Sequence, residues 1–412
     1  MSKAERSYVF YAPTSWNGSR QAAHNLARAL AERHPVLYVD PPASPLSPFR
    51  YGVGRDSWPK LRTVFDRRAQ TAGRVHVFSP VVLPPVRNQR MQALSLPALR
   101  RQIAKAVARA QMREPVVLAW QSLTELGGVA GEILKVGFVM DHPAGGASLM
   151  GLDPAESEAD ATRLCAAADL ICTTSSAVQG LLAERDWQAE LLPFGFPADL
   201  ANTFDGASRP PEYDDLPRPL LGYTGGIDDR LDFDLIVALA DRFATGSLVF
   251  VGSLSPRLSP AARAALGSRK NIHLFGPRPR EELPSYIRHL DVALMPYGDS
   301  LFTRYQSPIK LWEYLYAGPP IVGTGSVALR SYPPPLVDYA ESADEALAMV
   351  ERALADPLAG REERRRFALA NTWDDRAKAL DEMVGRALDR QAREHSGRLS
   401  SPNGKPLLSA AR

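Results

Sequence analysis

The chain has 412 residues, two to three times the length of an ordinary domain, so its length predicts two substantial domains with a cleft between them. With 45% hydrophobic and 23% charged residues the composition is that of a globular protein, which excludes an extended disordered chain or a coiled coil. The 49 Lys and Arg residues against 46 Asp and Glu residues give a net charge of +3, so we expect no nucleic-acid partner.

The sequence also limits localisation and metal chemistry. The first residues lack an apolar signal sequence, and no run approaches the 18 apolar residues of a membrane span, so we expect a cytoplasmic protein. Cys165 and Cys172 lie seven residues apart without a CxxC pattern, which predicts two buried thiols. The histidines form no HxxxH or HExxH pattern, and we therefore expect no catalytic metal.

Short apolar runs, each followed by a turn and a longer amphipathic stretch, recur along the whole chain. This alternation is typical of parallel βαβ units and predicts an α/β fold. The N-terminal series opens with a strand at 8–12, a loop at 15–20 and a helix at 21–33. Its further strands are expected at 36–40, 75–82, 116–120, 135–140, 170–174 and 190–193. Residues 1–204 are thus predicted to form one sheet domain.

A polar, proline-rich stretch at 205–219 has neither helical nor strand periodicity and predicts a linker. A second domain is expected over 220–371. Its strands are predicted at 220–223, 247–251, 272–275, 292–296 and 320–322, and its helices at 233–243, 260–266, 281–290, 308–316, 344–355 and 361–370. A last helix is expected at about 372–392, and the Ser- and Gly-containing tail 396–412 is expected to be disordered.

Ligands of open parallel sheets collect at the carboxyl ends of the strands, where loops and helix N-termini offer free N–H groups. In the second half the first such loop, Gly222–Asp229, contains Gly225 and Gly226, which would let the backbone approach a phosphate. The dinucleotide fingerprint GxGxxG is absent from it, which argues against a hydride-transfer enzyme.

The segment Thr303–Val322 is the most informative. Ser307 is predicted to cap a helix that begins at Pro308 and ends at Gly318. A lysine in the first turn, Lys310, is disfavoured by the helix dipole unless it helps the helix N-terminus to hold an anion such as a diphosphate. Glu313, one turn later, could accept hydrogen bonds from two vicinal hydroxyls. A solvent-exposed Lys–Glu pair is the alternative.

The run Pro308–Val322, with its sequence PIKLWEYLYAGPPIV, resembles the second domain of GT-B glycosyltransferases, especially bacterial family-4-like enzymes of the teichuronic-acid and exopolysaccharide type. The resemblance extends over most of the chain, through segments near 169–175, 192–196, 222–235, 272–290 and 371–376. It implies two Rossmann-like, doubly wound parallel-sheet domains that face a central cleft. The C-terminal domain would hold a nucleotide-sugar donor and the N-terminal domain an acceptor, with the last helix returning to the first domain.

The resemblance also implies roles for individual residues. Glu313 would bind the ribose hydroxyls, Lys310 the diphosphate, and the Gly225–Gly226 backbone would approach the phosphates. The nucleotide base would be lined by Phe275, Gly276 and Arg278. Arg304 would add positive charge near the phosphates, or is simply a surface arginine.

One position departs from the family pattern. Many retaining members have a second Glu eight residues before the ribose-binding one, where this chain has Tyr305. In this it resembles inverting exopolysaccharide enzymes, whose general base is an Asp after a first-domain strand. Asp141 follows the corresponding strand and is the candidate base, with His142 beside it. The alternative is that Asp141 caps the following turn or orders a loop.

Further candidates lie in the first half. Trp16 and Gly18 belong to the loop expected to face the sugar and acceptor, and Arg20 offers a charge for a phosphorylated or uronic partner. His24 is expected to be a core histidine. In the second half, Asp232 and Asp234 match the short DxD motif, but their position at the start of a predicted helix favours helix capping over metal binding.

A basic amphipathic stretch, Arg87–Arg113, lies in the expected acceptor domain. It predicts either peripheral contact with an anionic membrane at its inner face or a helix packed on its own sheet.

The sequence thus predicts a metal-independent glycosyltransferase of cell-surface polysaccharide, glycolipid or natural-product biosynthesis. The acceptor would be a carbohydrate, a lipid-linked sugar or a small molecule, and the donor base, uracil, guanine or thymine, is left open. The alternatives are a nucleotide-sugar epimerase or hydrolase of the same fold, and a non-catalytic nucleotide-sugar-binding protein.

Overall fold

The computed structural model describes residues 6–18, 20–43, 70–82, 89–120, 127–147 and 152–399. For residues 70–72, 89–94 and 397–399 only the backbone is described. The expected disorder of the tail therefore lies outside the described residues from position 400 onward, whereas residues 396–399 are helical.

The described strands form two separate sheets. In the first, the order is β3-β4-β2-β1-β5-β6-β7-β8, and every pair is parallel except β3 with β4. Its strands are β1 Tyr8–Tyr11, β2 Val36–Val39, β3 Gln70–Ala72, β4 Val75–Phe78, β5 Val116–Trp120, β6 Leu134–Val139, β7 Leu170–Thr173 and β8 Ala189–Leu191. Strands β1, β2, β5 and β7 are buried at every residue, which explains why these segments are almost continuously apolar.

The second sheet is parallel throughout, with the order β11-β10-β9-β12-β13-β14 of a doubly wound fold. Its strands are β9 Leu220–Thr224, β10 Ser247–Val251, β11 Ile272–Leu274, β12 Val292–Pro296, β13 Ile321–Thr324 and β14 Asp338–Tyr339. The order reverses between β9 and β12, so the carboxyl ends of these two strands border the crevice where such sheets bind ligands.

Helices cover both sheets. In the first half they are α1 Ala22–Ala31, α2 Gln89–Arg109, α3 Pro154–Ala167 and α4 Ser176–Ala183. In the second half they are α5 Ala201–Asp205, α6 Phe233–Arg242, α7 Pro260–Gly267, α8 Leu283–Arg288, α9 Leu301–Tyr305, α10 Lys310–Ala317, α11 Ala343–Ala355 and α12 Arg361–Leu369. The last helix is α13 Trp373–Leu399.

The chain crosses between the two halves twice, and the crossings are hydrogen-bonded to each other. The amide of Phe196 donates to Asn371 O at 2.9 Å, and the amide of Trp373 donates to Phe196 O at 3.1 Å. Helix α13 then packs on the first half, because Trp373, Leu380 and Val384 belong to the same buried cluster as β1 and α1. The expected return of the last helix is therefore observed.

The packing of residues 196–204 places the boundary between the two halves earlier in the chain than predicted. Phe196, Leu200 and Phe204 are buried in the second core, so the first unit ends near residue 195 rather than at 204. The predicted linker 205–219 is also fixed to the second half, since Tyr213 within it is fully buried against Phe275. An aromatic side chain inside a proline-rich stretch was the signal that the prediction overlooked.

Candidate functional site

The loop after β9 passes close to the end of β10. The amide of Gly225 donates to Val251 O at 2.8 Å, and a Cβ on Gly252 would lie only 1.9 Å from Gly225 O. Gly225 itself has a φ of 132°, a conformation that side chains disfavour. The predicted glycine loop thus packs backbone against backbone at the crevice. The amides of Gly225 and Ile227 are engaged with Val251 O and Ser253 O, which leaves the amide of Gly226, without a described backbone partner, to approach a ligand.

Lys310 reaches this loop from the first turn of α10. Its Nζ lies 3.7 Å from the ring centroid of Tyr223 and 5.6 Å from that of Tyr297, and a Cβ on Gly225 would be 2.6 Å from it. Among the described residues it has no carboxylate partner within 4 Å. Burial, followed by repulsion from Arg230, lowers the pKa of Lys310 well below its usual 10.5. The ammonium group is held by aromatic faces, not by an acid.

Arg230 is a further basic residue of this site that the sequence prediction missed. Its Nε and Nη2 each donate to Asp228 at 2.7 Å, in a bidentate pair. Its guanidinium also lies near Gly226, where a Cβ would be 3.5 Å from Nη2. The available signal was the run Asp228-Asp-Arg230, which follows the two glycines after a single residue, Ile227.

Glu313 lies on the same helix as Lys310 but is paired with a different residue. Its Oε1 accepts a hydrogen bond from Arg280 Nη2 at 3.3 Å, and both side chains are largely buried. Burial raises the pKa of Glu313, an effect that Arg280 opposes. The alternative of a solvent-exposed Lys–Glu pair is wrong, since both side chains are only partly accessible to solvent and the ion pair of Glu313 runs to Arg280.

The start of α10 differs from the prediction. Ser307 does not cap the helix: the capping position is Ile309, which makes no side-chain capping bond, and the helix begins at Lys310. Its end is as predicted, because Gly318 adopts the left-handed conformation with φ 90°. The helix is fixed to the glycine loop by Tyr314, whose hydroxyl accepts a 2.7 Å hydrogen bond from the amide of Thr224.

The three residues expected at the nucleotide base lie together after β11 but in different environments. Phe275 is half-buried against Tyr213, at 5.9 Å between ring centroids, and Gly276 has a φ of 66° with open space around it. Arg278 donates to the hydroxyl of Tyr286 at 2.7 Å and to Glu212 at 2.8 Å. Arg280, two residues later, is the arginine of this loop that reaches Glu313.

Helix α9 carries the two remaining residues of the predicted donor segment. Arg304 is exposed and pairs with Asp299 at 2.9 Å, which fits its interpretation as a surface arginine. Tyr305 instead packs against the first half, with its ring 5.2 Å from that of His142. The position where retaining relatives would carry a Glu is therefore occupied by a contact between the two halves.

Asp141 and His142 follow β6 as expected but face different surroundings. Asp141 lines a small cavity with Phe138, Ser157 and Asp160, and burial raises its pKa to about 6. Within the described residues its carboxylate makes no hydrogen bond, so the turn-capping alternative finds no support. The His142 ring is buried against Tyr305, its Nδ1 has no described partner, and burial lowers its pKa.

The loop after β1 is more tightly packed than expected. The Trp16 ring is only 9% exposed, 4.9 Å from the ring of Tyr38, and has the Arg28 guanidinium 4.7 Å from its centroid. It is therefore a core residue of the first half rather than an open platform for a sugar. Gly18 is exposed in a turn, its amide donating to Ser15 O at 2.9 Å.

Arg20 forms a bidentate ion pair with Asp199 and donates through Nε to Asn25 Oδ1 at 2.5 Å. Its charge is thus already balanced. His24 is a core histidine, as predicted: it is 2% exposed, and its Nε2 lies 3.1 Å from Ser15 O.

The DxD-like pair behaves as a helix cap, because Asp232 accepts the amide of Leu235 at 2.9 Å at the start of α6. No group of three or more His, Cys, Asp or Glu side chains that could hold a metal occurs in the part of the chain that the structure describes. Cys165 and Cys172 are both buried free thiols, as predicted.

Helix α2 covers most of the predicted basic stretch. Its apolar residues Leu99, Ile103 and Val107 are buried in the first half, so they are not available for insertion into a bilayer. Arg101, Lys105 and Arg109 are exposed at intervals of four residues. Arg87 and the side chain of Arg90 lie outside the described residues. No described helix is long and apolar enough to span a membrane.

Comparison with solved structures confirms the GT-B fold. A sucrose-phosphate synthase from Thermosynechococcus elongatus matches with a TM-score of 0.65 at 16% identity, over 94% of this chain and 100% of that chain. A UDP-forming trehalose-phosphate synthase from Burkholderia xenovorans, in complex with glucose-6-phosphate, matches with a TM-score of 0.64 at 12% identity, over 93% and 100% of the two chains.

Sequence comparison gives a more local match. The "Putative teichuronic acid biosynthesis glycosyltransferase TuaH" of Bacillus subtilis (strain 168) is 32% identical over 123 residues, which are 30% of this chain and 31% of that protein. No family model matches the chain.

Proposed function

We propose that this protein transfers a glycosyl group from a nucleoside-diphosphate sugar to an acceptor hydroxyl. The observation that carries the proposal is the half-buried Lys310 ammonium, which lies beside the Gly225 loop without a described carboxylate partner. A cation partly removed from water without an acid partner is costly unless a ligand supplies the negative charge. The fold shared with sugar-phosphate synthases and the local match to a teichuronic acid glycosyltransferase support the same activity.

In this proposal the second half holds the donor. Lys310, Arg230 and the Gly225–Gly226 loop, through the amide of Gly226, face the diphosphate and offset the charge that develops on it as the glycosidic bond breaks. Glu313 accepts hydrogen bonds from the ribose hydroxyls, and Phe275 and Gly276 border the nucleotide base. Arg278 is engaged with Glu212 and Tyr286, so its contribution to the base pocket is indirect.

The first half holds the acceptor. Asp141 takes the proton of the acceptor hydroxyl as that oxygen attacks the anomeric carbon and the nucleoside diphosphate leaves. A pKa of about 6 leaves most of the Asp141 carboxylate ionised at neutral pH, as a general base requires. With Tyr305 in place of a second Glu, we propose an inverting reaction.

The test is release of nucleoside diphosphate from UDP-, GDP- and dTDP-sugars, with and without acceptors such as sugars, sugar phosphates and lipid-linked sugars. Release that depends on an acceptor supports transfer. Acceptor-independent consumption or isomerisation of the sugar would instead indicate a hydrolase or epimerase, and binding without turnover a non-catalytic protein.

We also propose that α2 rests on an anionic membrane surface by charge alone. Arg101, Lys105 and Arg109 form one exposed stripe, and among the described residues none of them has a carboxylate within 4 Å. Each such cation near an anionic surface contributes about 1 kcal/mol. The apolar face is buried, which favours electrostatic contact over insertion.

This contact is tested by co-sedimentation with liposomes containing phosphatidylserine. Reversing Arg101, Lys105 and Arg109 to Glu should abolish salt-sensitive binding, whereas reversing Arg242, an exposed arginine of α6, should not. Equal sedimentation of the wild type and the triple variant would contradict the contact.

A further inference from the structure

A cavity of about 350 Å³ runs along α1 on the first half. It is lined by Arg20, Asn25 and Arg28 on one side and by the crossing segments, including Asp199 and Trp373, on the other. Its volume is within the range of small-ligand sites. Neither Lys310 nor Glu313, which we assign to the donor, lines it.

Part of the polar wall of this cavity is already satisfied. Arg20 donates hydrogen bonds from both Nη groups to the Asp199 carboxylate and from Nε to Asn25 Oδ1. Asn25 is only 2% exposed, and its Nδ2 has no described partner. Arg20 is thereby fixed as part of the wall, and its charge is neutralised by Asp199.

Arg28, unlike Arg20, is not neutralised by a carboxylate. Its guanidinium lies 4.7 Å from the Trp16 ring centroid, an arrangement that orients the group without neutralising it. Among the described residues no carboxylate approaches it within 4 Å. Arg28 is exposed at the rim of the cavity, and its charged neighbours are Arg20, Asp199 and, from the second half, Arg280. Partial burial, followed by repulsion from Arg20, lowers the pKa of Arg28, and Asp199 opposes this shift.

Arg280 likewise has hydrogen-bonding capacity that no carboxylate satisfies. Its Nη2 bonds to Glu313, but its Nη1 is buried without a described partner. The lining of the α1 cavity carries three guanidinium groups, Arg20, Arg28 and Arg74, and three carboxylates, Glu32, Asp199 and Asp374. The imbalance is therefore local to Arg28 and to Arg280 Nη1, which have no described carboxylate partner. Mutual repulsion of this kind is relieved when a ligand brings an anion.

We propose that Arg28 binds an anionic group of the acceptor, a phosphate or a carboxylate, in the cavity along α1. The inference rests on the proposed function, because it names the acceptor class of that reaction. It transfers to Arg28 the role that the sequence suggested for Arg20. The planar guanidinium donates two parallel hydrogen bonds to either kind of anion.

The test compares the wild type with Arg28→Gln and with Arg242→Gln, a surface arginine that pairs with Glu351. Inorganic phosphate, glucuronate and uncharged glucose are titrated by calorimetry at a saturating concentration of whichever of UDP, GDP or dTDP binds, so that the donor site is filled. We expect phosphate or glucuronate to bind the wild type and Arg242→Gln alike, and Arg28→Gln at least tenfold more weakly. Glucose should not distinguish the variants.

The anion that binds more tightly identifies the phosphate or carboxylate chemistry. Equal anion binding by the wild type and Arg28→Gln, or no anion binding by the wild type, would overturn the proposal. If no nucleoside diphosphate binds, the proposed function fails, and the same titrations on the protein alone still test Arg28. Unchanged nucleotide affinity and thermal stability of Arg28→Gln show that the variant is folded.

Discussion

Replacing Lys310 by Met should stabilise the protein alone and weaken its binding of nucleotide. The Lys310 side chain contacts the rings of Tyr223 and Tyr297. An unbranched methionine can occupy the same space against these rings, so packing is retained. Loss of a half-buried ammonium without a described acid partner should raise the free energy of unfolding by about 1 kcal/mol. Loss of a charge-assisted bond to the diphosphate costs about 1.5 to 3 kcal/mol, or roughly 10- to 150-fold in Kd.

The pH dependence gives the same comparison a second readout. The pKa of Lys310 is lowered in the folded state, so the unfolded chain binds more protons between that lowered pKa and the usual 10.5. The free energy of unfolding of the wild type should therefore rise with pH through this window, whereas that of Lys310→Met should lack this rise. The excess stability of Lys310→Met over the wild type should be largest below the window and should shrink as the pH rises. Urea denaturation at several pH values measures the stability, and calorimetry with UDP, GDP and dTDP measures the affinity.

A purely structural lysine would give the opposite pattern. If Lys310→Met lowers stability and leaves nucleotide affinity within twofold of the wild type, the assignment of Lys310 to the diphosphate is refuted. Lys310→Arg is the matched control, since it keeps the charge but not the size of the group, and should retain part of the affinity.

Three further predictions concern other parts of the molecule. Asp141→Asn should lower kcat by roughly 100-fold or more with an unchanged donor Kd, and it should remove the rise of kcat with pH through about 6. Asp160→Asn, in the same cavity, should change neither. Wild-type turnover of Asp141→Asn would exclude Asp141 as the general base. Gly252→Ala should cost about 2 to 4 kcal/mol in urea denaturation, because its Cβ would lie 1.9 Å from Gly225 O, whereas Gly180→Ala in α4 has open space; equal stabilities would contradict the packing. Asp381 accepts bonds from Tyr8 at 2.7 Å and Arg6 at 2.6 Å; burial would raise its pKa, but bonds from His34, Tyr8 and Arg6 hold that pKa well below 3.8. Asp381→Asn should therefore destabilise α13 docking by about 2 to 4 kcal/mol at pH 7 and progressively less as the pH falls below about 4, while a pH-independent difference would argue against the ion pair.

The strands were the most predictable feature, because buried parallel strands are apolar throughout. β5, β10 and β12 coincide with the predicted 116–120, 247–251 and 292–296. The short strands β3 and β14 were not predicted, because neither Gln70–Ala72 nor Asp338–Tyr339 is an apolar run. The boundary at 204 failed because Phe196 and Phe204 pack with residues more than 100 positions away, among them Tyr316.

The candidate site was predictable only where its residues are close in sequence. Lys310 and Glu313 lie on one helix turn, and their spacing suggested a joint role. Arg280 is brought to Glu313 by the loop after β11, which no local pattern shows. Trp16 illustrates the opposite error: an aromatic residue in a glycine-containing loop has the same sequence signal whether its ring is open to a sugar or covered by Arg28.

The central claim, that the Lys310 and Glu313 site binds a nucleoside-diphosphate sugar, is tested most directly by thermal unfolding with UDP-, GDP- and dTDP-sugars. We predict that at least one of them raises the Tm of the wild type in a concentration-dependent way, and that Glu313→Gln reduces this shift while Arg242→Gln preserves it. If none of the nucleotide sugars shifts the Tm of the wild type, or if Glu313→Gln responds as the wild type does, the claim is contradicted.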